Sequence, residues 1–187
     1  MKRCVDIIDC GWGNLEALRW FFMRITKTVN ILSLNDLNAV RNDVIILPGV
    51  GSANLFGEVS AEKREMLRCK IQQAERVVSI CLGAQFLFSS HQESVNGAGG
   101  LSLLSGSIKK LHRHNIGYVP KPRGDRYYFN HGYFMPVEGP YATSWTLNVG
   151  EQEFLAEAEF ENILLCQYHP EKSGGHGLNR MKRFLNA

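Results

Sequence analysis

The sequence predicts an α/β fold, with a mostly parallel central sheet, helices on both faces and a small antiparallel β layer. Three observations carry this expectation. Short apolar runs alternate with segments of helical spacing over the first ninety residues. Two of those runs, "DVIILPGVG" and "RVVSICLG", break at glycine or proline directly after their last apolar residues. From 95 to 160 the character changes to glycine-rich "NGAGG" and short β-like runs. A length of 187 residues, 44% hydrophobic and 21% charged, fits a single domain spanning 1–187 with a sizeable core.

Taken in order, "CVDIID" (4 to 9) reads as a strand, "CGWG" as a turn and "NLEALRWFFMRI" (14 to 25) as a helix, with Leu15, Leu18, Phe22 and Ile25 at helical spacing. "VNILSL" (29 to 34) reads as a second strand, and "DVIILPGVG" (43 to 51) as a buried strand closed by a Pro-Gly turn. A helix follows over "EKREMLRCKIQQA" (62 to 74), then "RVVSI" as strand and "GAQFLFSS" as helix. "SGSIKKL", "YYFNHGYFMPV" and "YATSWTL" supply the smaller antiparallel layer or extra strands. "ENILLCQYHPEKS" returns to a buried strand, and "LNRMKRFL" (178 to 185) closes the chain as a helix.

A net charge of +3 comes without a run of five or six basic residues, which argues against a nucleic-acid or membrane arm. "KKLHRH" (109 to 114) is the densest basic patch and reads as a solvated loop. Five cysteines without a secretory leader predict free thiols and a reducing cytoplasm. The apolar stretches fall short of the roughly 18 residues that suggest a membrane span.

Cys81 interrupts the apolar run "VVSICLGAQFLF". A strand ending at Ile80 and a helix starting near Leu82 put its sulfur at the C-terminal edge of the sheet, beside aligned N–H groups that favour a thiolate. Ligands of open α/β sheets gather at that edge. Gly83 and Ser79 are the small neighbours that a sharp nucleophile turn needs. A lone cysteine is also a common core residue, so this segment alone leaves both readings open.

"QYHPEKS" supplies what a thiolate acting on an amide would need: a proton donor and its orienter. Pro170 restricts His169 to extended backbone, and extension points His169 and Glu171 to the same side. "LPGVG" (47 to 51) adds Gly49 and Gly51, which permit a close backbone approach and N–H groups aimed at an oxyanion beside that of Leu82.

Through "IIDCGWGNLEAL", "LPGVG", "ICLGAQ", "YYFNHGYFMPV", "QYHPEKSG" and the terminal "RFL", most of the chain resembles the class I (triad) glutamine amidotransferases. Within them it is most similar to the glutaminase subunits of imidazole glycerol phosphate synthase. The resemblance implies a flavodoxin-like amidotransferase fold and a glutamine-hydrolysing enzyme with no cofactor and no metal. It implies Cys81 as nucleophile, His169 as its acid and base, Glu171 as orienter, and the N–H groups of Val50 and Leu82 as the oxyanion hole, with or without a peptide flip in "PGVG". Gly49, Gly51, Gln85, Glu93, His131, Gly132 and Tyr133 would hold the substrate glutamine, with Glu93 on its α-ammonium group. The partner implied is a (β/α)8-barrel synthase of histidine biosynthesis that receives the ammonia through a protected path, with Asn14 and Tyr128 facing it. The isolated subunit would then be a poor glutaminase.

The chain departs from the family at Ser79, Ala84, Tyr168 and "HGY", and more strongly at "HNIGYVPKPRGDRYYF", which stands where a His-x-Gly-Trp-Asn motif is usual. That departure bears on the acceptor, so a paralogous glutaminase feeding amidino-sugar formation for surface polysaccharides is the alternative. Readings from other classes are weaker. Zinc binding by His112, His114, His131, Cys166 or His169 lacks a closed ligand spacing. "GWGNLE" lacks the third glycine of a dinucleotide fingerprint. A redox or chaperone-like protein with an oxidisable Cys81 would leave "QYHPEKS" and "PGVG" without a task.

Overall fold

The computed structural model describes residues 3–41, 43–95, 97–121 and 124–186. Asn96 of "NGAGG", and Pro122 and Arg123 of the departing segment, lie outside the described residues. Three strands open the sheet: β1 (Val5–Asp9), β2 (Val29–Ser33) and β3 (Val44–Leu47). Helix α1 (Leu15–Phe22) sits between the first two. Helix α2 (Ala61–Gln73) leads to β4 (Arg76–Ile80) and the single turn α3 (Leu82–Gln85). Then come β5 (Phe88–His91), β6 (Leu104–Pro120), β7 (Arg126–Phe134), β8 (Thr143–Val149), β9 (Gln152–Phe160), β10 (Ile163–Cys166) and α4 (Gly174–Leu185).

The main sheet runs β2-β1-β3-β4-β10-β9-β8. Its first five strands pair in parallel, while β9 and β8 extend it antiparallel. The parallel strands are near-continuous apolar runs because both faces are covered. One face packs Ile8, Ile45, Val77 and Leu165 against Leu67 and Ile71 of α2. The other packs Val5, Ile7, Ile46 and Val78 against Leu18 and Phe22 of α1 and Met181 and Phe184 of α4. Both longer connecting helices begin at side-chain caps: Asn14 Oδ1 accepts from Ala17 N at 3.3 Å, and Ser60 Oγ accepts from Lys63 N at 3.3 Å.

The second layer is a three-stranded sheet, β5-β6-β7. Three expectations change here. "GAQFLFSS" is a helix only to Gln85; Phe88–His91 is a strand paired in parallel with β6, so this layer is mixed rather than antiparallel. The helix stops because Gly100 N and Leu101 N take the carbonyls of Phe88 and Phe86, at 3.1 and 2.6 Å. "KKLHRH" is solvated but forms part of β6, with only Leu111 turned inward. "QEFLAEAEF" forms β9, a strand absent from the sequence reading, with Glu157 buried against Arg180 and Lys121 at 3.1 and 3.3 Å.

Candidate active site

Three strand ends on the C-terminal edge of the main sheet build the site. After β4 the chain turns sharply at Cys81, which has φ +49° and ψ −109°, a region that side-chain-bearing residues resist. The turn is held from both sides: Cys81 N donates to Cys166 O on β10 at 2.6 Å, and Gln85 N donates to Cys81 O at 3.0 Å. The loop after β3 crosses it at backbone contact. A Cβ on Gly49 would lie 2.1 Å from Gly83 N, and one on Gly83 would lie 2.4 Å from Leu47 O, so both positions require glycine. This crossing brings Val50 and Leu82 to the same wall beside the Cys81 sulfur.

His169 follows β10. Its backbone is fastened on both sides: His169 N donates to Tyr128 O at 2.8 Å, and Ser173 Oγ donates to His169 O at 2.6 Å while accepting from Tyr128 N at 3.0 Å. The following turn is locked under α4, since a Cβ on Gly177 would meet Pro170 O at 2.1 Å. His169 Nδ1 lies 3.0 Å from Glu171 Oε1, and Cys81 is the other group that acts on the imidazole. Burial lowers the pKa of His169, but hydrogen bonds and charge from Cys81 and Glu171 outweigh it and push the group up to about 10. The imidazole is therefore held as imidazolium. The second oxygen of Glu171 is buried without a hydrogen-bond partner.

These groups open on a cleft of about 360 Å³. Of the residues expected to hold a substrate, Gly51, Gln85, Glu93, His131, Gly132 and Tyr133 line it, and Gly49 lies beneath it at the loop crossing. Glu93 Oε2 accepts from Ala53 N at 2.7 Å, which anchors the carboxylate at the cleft rim. His131 donates from Nδ1 to Tyr133 O at 2.8 Å; burial, with the neighbouring His114 and His169, pushes it down to about 4, so it is neutral. Asn14 lies outside the cleft, as the cap of α1, and Tyr128 stands beside it, bonded to His169 through its backbone and with its ring centroid 6.5 Å from that of the imidazole.

Asn130 was not singled out in the sequence and His114 was weighed only as a zinc ligand; both line the cleft, with Nε2 of His114 2.8 Å from Asn130 Oδ1. The sequence reading also missed Gln167, whose side-chain nitrogen lies 3.7 Å from the Cys81 sulfur. The two-residue spacing that joined His169 to Glu171 also joins Gln167 to His169. All five cysteines are unpaired. Burial pushes Cys10 up to about 12 and Cys166 higher still, whereas Cys81 alone of the five faces the cleft. A larger cavity of about 830 Å³ opens at the opposite edge of the sheet, beside Arg3, Arg24 and Lys27, far from this chemistry. Among the described residues, no three His, Cys, Asp or Glu side chains gather as a metal site.

A model of the class-I glutamine amidotransferase family matches residues 6–186. The chain belongs to that family. Curated relatives include the imidazole glycerol phosphate synthase subunit HisH of Yersinia pseudotuberculosis, 32% identical with 97% of this chain and 98% of the relative covered. Another is the hisH subunit of Cyanidium caldarium, 30% identical with 98% of each covered. Among solved structures, a GMP synthase subunit from Thermoplasma acidophilum matches with a TM-score of 0.65 and 16% identity, covering 100% of this chain and 94% of that one. A glutamine amidotransferase matches with a TM-score of 0.67 and 13% identity, covering 98% and 99%. Both structural neighbours share the amidotransferase fold with this chain.

Proposed function

We propose that this amidotransferase is the glutaminase subunit of an imidazole glycerol phosphate synthase, a single domain over 1–187 working in the cytoplasm. The reading rests above all on one observation: a buried Cys81–His169–Glu171 line opening on a cleft, in a chain that matches HisH relatives over nearly the full length of both. The relatives reported carry the histidine-pathway name, so the amidino-sugar alternative is not favoured.

The chemistry follows from the geometry. The Cys81 thiolate attacks the side-chain amide carbon of glutamine, and the N–H groups of Val50 and Leu82 receive the developing oxyanion. His169, held as imidazolium, gives its proton to the departing nitrogen, which leaves as ammonia. The neutral imidazole then takes a proton from water as the hydroxide adds to the thioester. Glutamate leaves and the thiolate is restored. Glu171 keeps the imidazole in one orientation through both steps. Glu93 at the rim is suited to the α-ammonium group of the substrate, and the backbone of His131 to Tyr133 to its carboxylate end.

Ammonia released into neutral water would be protonated and would lose its nucleophilic lone pair, so the site needs a docked acceptor enzyme. A (β/α)8-barrel cyclase in a heterodimer meets that need. Ile116 and Tyr118, 65% and 54% exposed on β6, give that partner an apolar surface next to Tyr128. The test is covalent labelling with a glutamine-analogue electrophile. The expected result is a single adduct on Cys81, suppressed by excess glutamine, and glutamate release that rises when a cyclase partner is added. Labelling indifferent to glutamine, or full turnover by the isolated chain, would overturn the reading.

A further inference from the structure

Behind the cleft wall runs a chain of buried polar side chains that the triad does not use. Glu93 N lies 3.1 Å from His91 Nδ1, and His91 Nε2 lies 2.9 Å from Gln85 Oε1. Gln85 Nε2 lies 2.9 Å from Tyr133 O and 3.2 Å from Gln167 Oε1, and Gln167 Nε2 lies 3.7 Å from the Cys81 sulfur. Gln167, Gln85 and His91 are 0%, 3% and 6% exposed.

The direction of every bond in this chain is fixed from its ends. A backbone N–H can only donate, so His91 Nδ1 accepts from Glu93 and the ring proton sits on Nε2. That proton makes the facing oxygen of Gln85 an acceptor. The Gln85 amide nitrogen must then face the carbonyl of Tyr133, which can only accept, and the same nitrogen donates to Gln167 Oε1. With its oxygen so engaged, Gln167 has only N–H to offer the sulfur. Two independent anchors, the Glu93 amide and the Tyr133 carbonyl, agree on one polarity, which removes the usual ambiguity of amide orientation. Burial pushes His91 down to about 4, so the ring stays neutral and keeps the single proton this polarity requires.

We propose that Gln167 is a further catalytic residue, an N–H donor to the sulfur of Cys81, and that Gln85 and His91 are positioning residues that hold its amide in the donating orientation. The inference rests on Cys81 being the nucleophile. It also gives Gln85, which lines the cleft, a task in addition to the substrate contact that the family resemblance implies. A donor facing the sulfur favours the anionic form before attack and again as the thioester breaks.

The test measures alkylation of Cys81 by iodoacetamide at pH 7, read by mass spectrometry on the full-length chain, beside kcat and KM for glutamate release with a cyclase partner present. Gln167→Leu is expected to slow alkylation about tenfold, the loss of one hydrogen bond to a charged group, with KM unchanged because the residue lies behind the sulfur. Gln167→Met, which keeps the chain length, gives the same reading should the leucine variant misfold. His91→Leu is expected to slow alkylation about threefold, a fraction of that bond's effect because Tyr133 O still holds Gln85. His91→Gln, which returns an N–H near the Nε2 position, restores it. Wild-type alkylation rates in both Gln167 variants, or a His91→Gln rate no faster than His91→Leu, would overturn the relay while leaving Cys81 as nucleophile. Failure of glutamine to protect Cys81 in the wild-type chain would instead sink the glutaminase reading, and the relay with it.

Discussion

Replacing Glu171 by glutamine isolates the electrostatic part of the site from its shape. His169 and Glu171 side chains are 2% and 4% exposed and 3.0 Å apart, so solvent screens their attraction little. His169 rises from 6.5 to about 10 against the lowering effect of burial, through Cys81 first and Glu171 second. That rise corresponds to roughly 5 kcal/mol of preference for the imidazolium. A hydrogen bond between charged partners is worth about 2 kcal/mol, and loss of that amount from the step in which His169 acts lowers kcat by roughly thirtyfold. The fold should lose about 2 kcal/mol below about pH 6.5 by the same linkage and little in alkali, because the amide oxygen can still accept from Nδ1 and its NH2 replaces an oxygen that already has no partner. The folded value of His169 lies above the unfolded one, so the pair's contribution to stability is complete below about pH 6.5 and is lost as pH rises through about 10. In Glu171→Gln that loss still begins near pH 6.5 but levels off at lower pH and is smaller in total. The assay is kcat and KM for glutamate release with a cyclase partner present, together with urea midpoints between about pH 6 and pH 10. A kcat within threefold of wild type, or an unchanged alkaline limb of the stability curve, would refute the role given to this carboxylate.

Other outcomes follow from the same geometry. Gly83→Ala places a Cβ 2.4 Å from Leu47 O and 2.5 Å from Pro48 O, so the loop crossing must open; a loss of about 2–4 kcal/mol by urea unfolding is expected, with glutaminase activity abolished. Ser173→Ala removes one fastening of the His169 backbone and leaves Tyr128 N without its 3.0 Å acceptor. The expectation is a kcat reduced about tenfold with KM near wild type, from the same glutamate assay. His91 and His131 are both pushed down to about 4, so the unfolded chain binds protons that the folded one refuses. Stability should therefore fall as pH drops from about 6.5 toward 4, by roughly 3 kcal/mol for each histidine. His91→Gln should flatten part of that slope in acid unfolding curves.

Much of this was legible in the chain. The parallel core could be read because β1, β3, β4 and β10 are short apolar runs ended by glycine, proline or cysteine, and the loops that leave β3, β4 and β10 carry the site. Recognition failed where a residue's role depends on something distant in sequence. β9 is rich in alanine and glutamate and shows no alternation, since its middle is buried on both faces; Glu157 is tolerated there only because Arg180 and Lys121 arrive from elsewhere. β5 was hidden by the aromatic run "QFLF", which has no helical or strand period of its own until the loop at Gly100 takes its carbonyls. Asn130 and His114 reach the cleft through the β6–β7 pairing, with a register shift between Lys110 and Asn115 that local pattern does not reveal. Gln167 was within reach, two residues before a histidine already singled out.

The backbone angle at Cys81 also bears on how this protein would respond to selection. A residue held at φ +49° carries a penalty of about 1–2 kcal/mol that glycine would relieve. Thermal tolerance and glutamine hydrolysis therefore pull that codon in opposite directions. A library screened only for soluble expression or heat resistance should enrich Cys81→Gly and deliver sturdier, inactive protein, so any stabilisation campaign has to score turnover at every round.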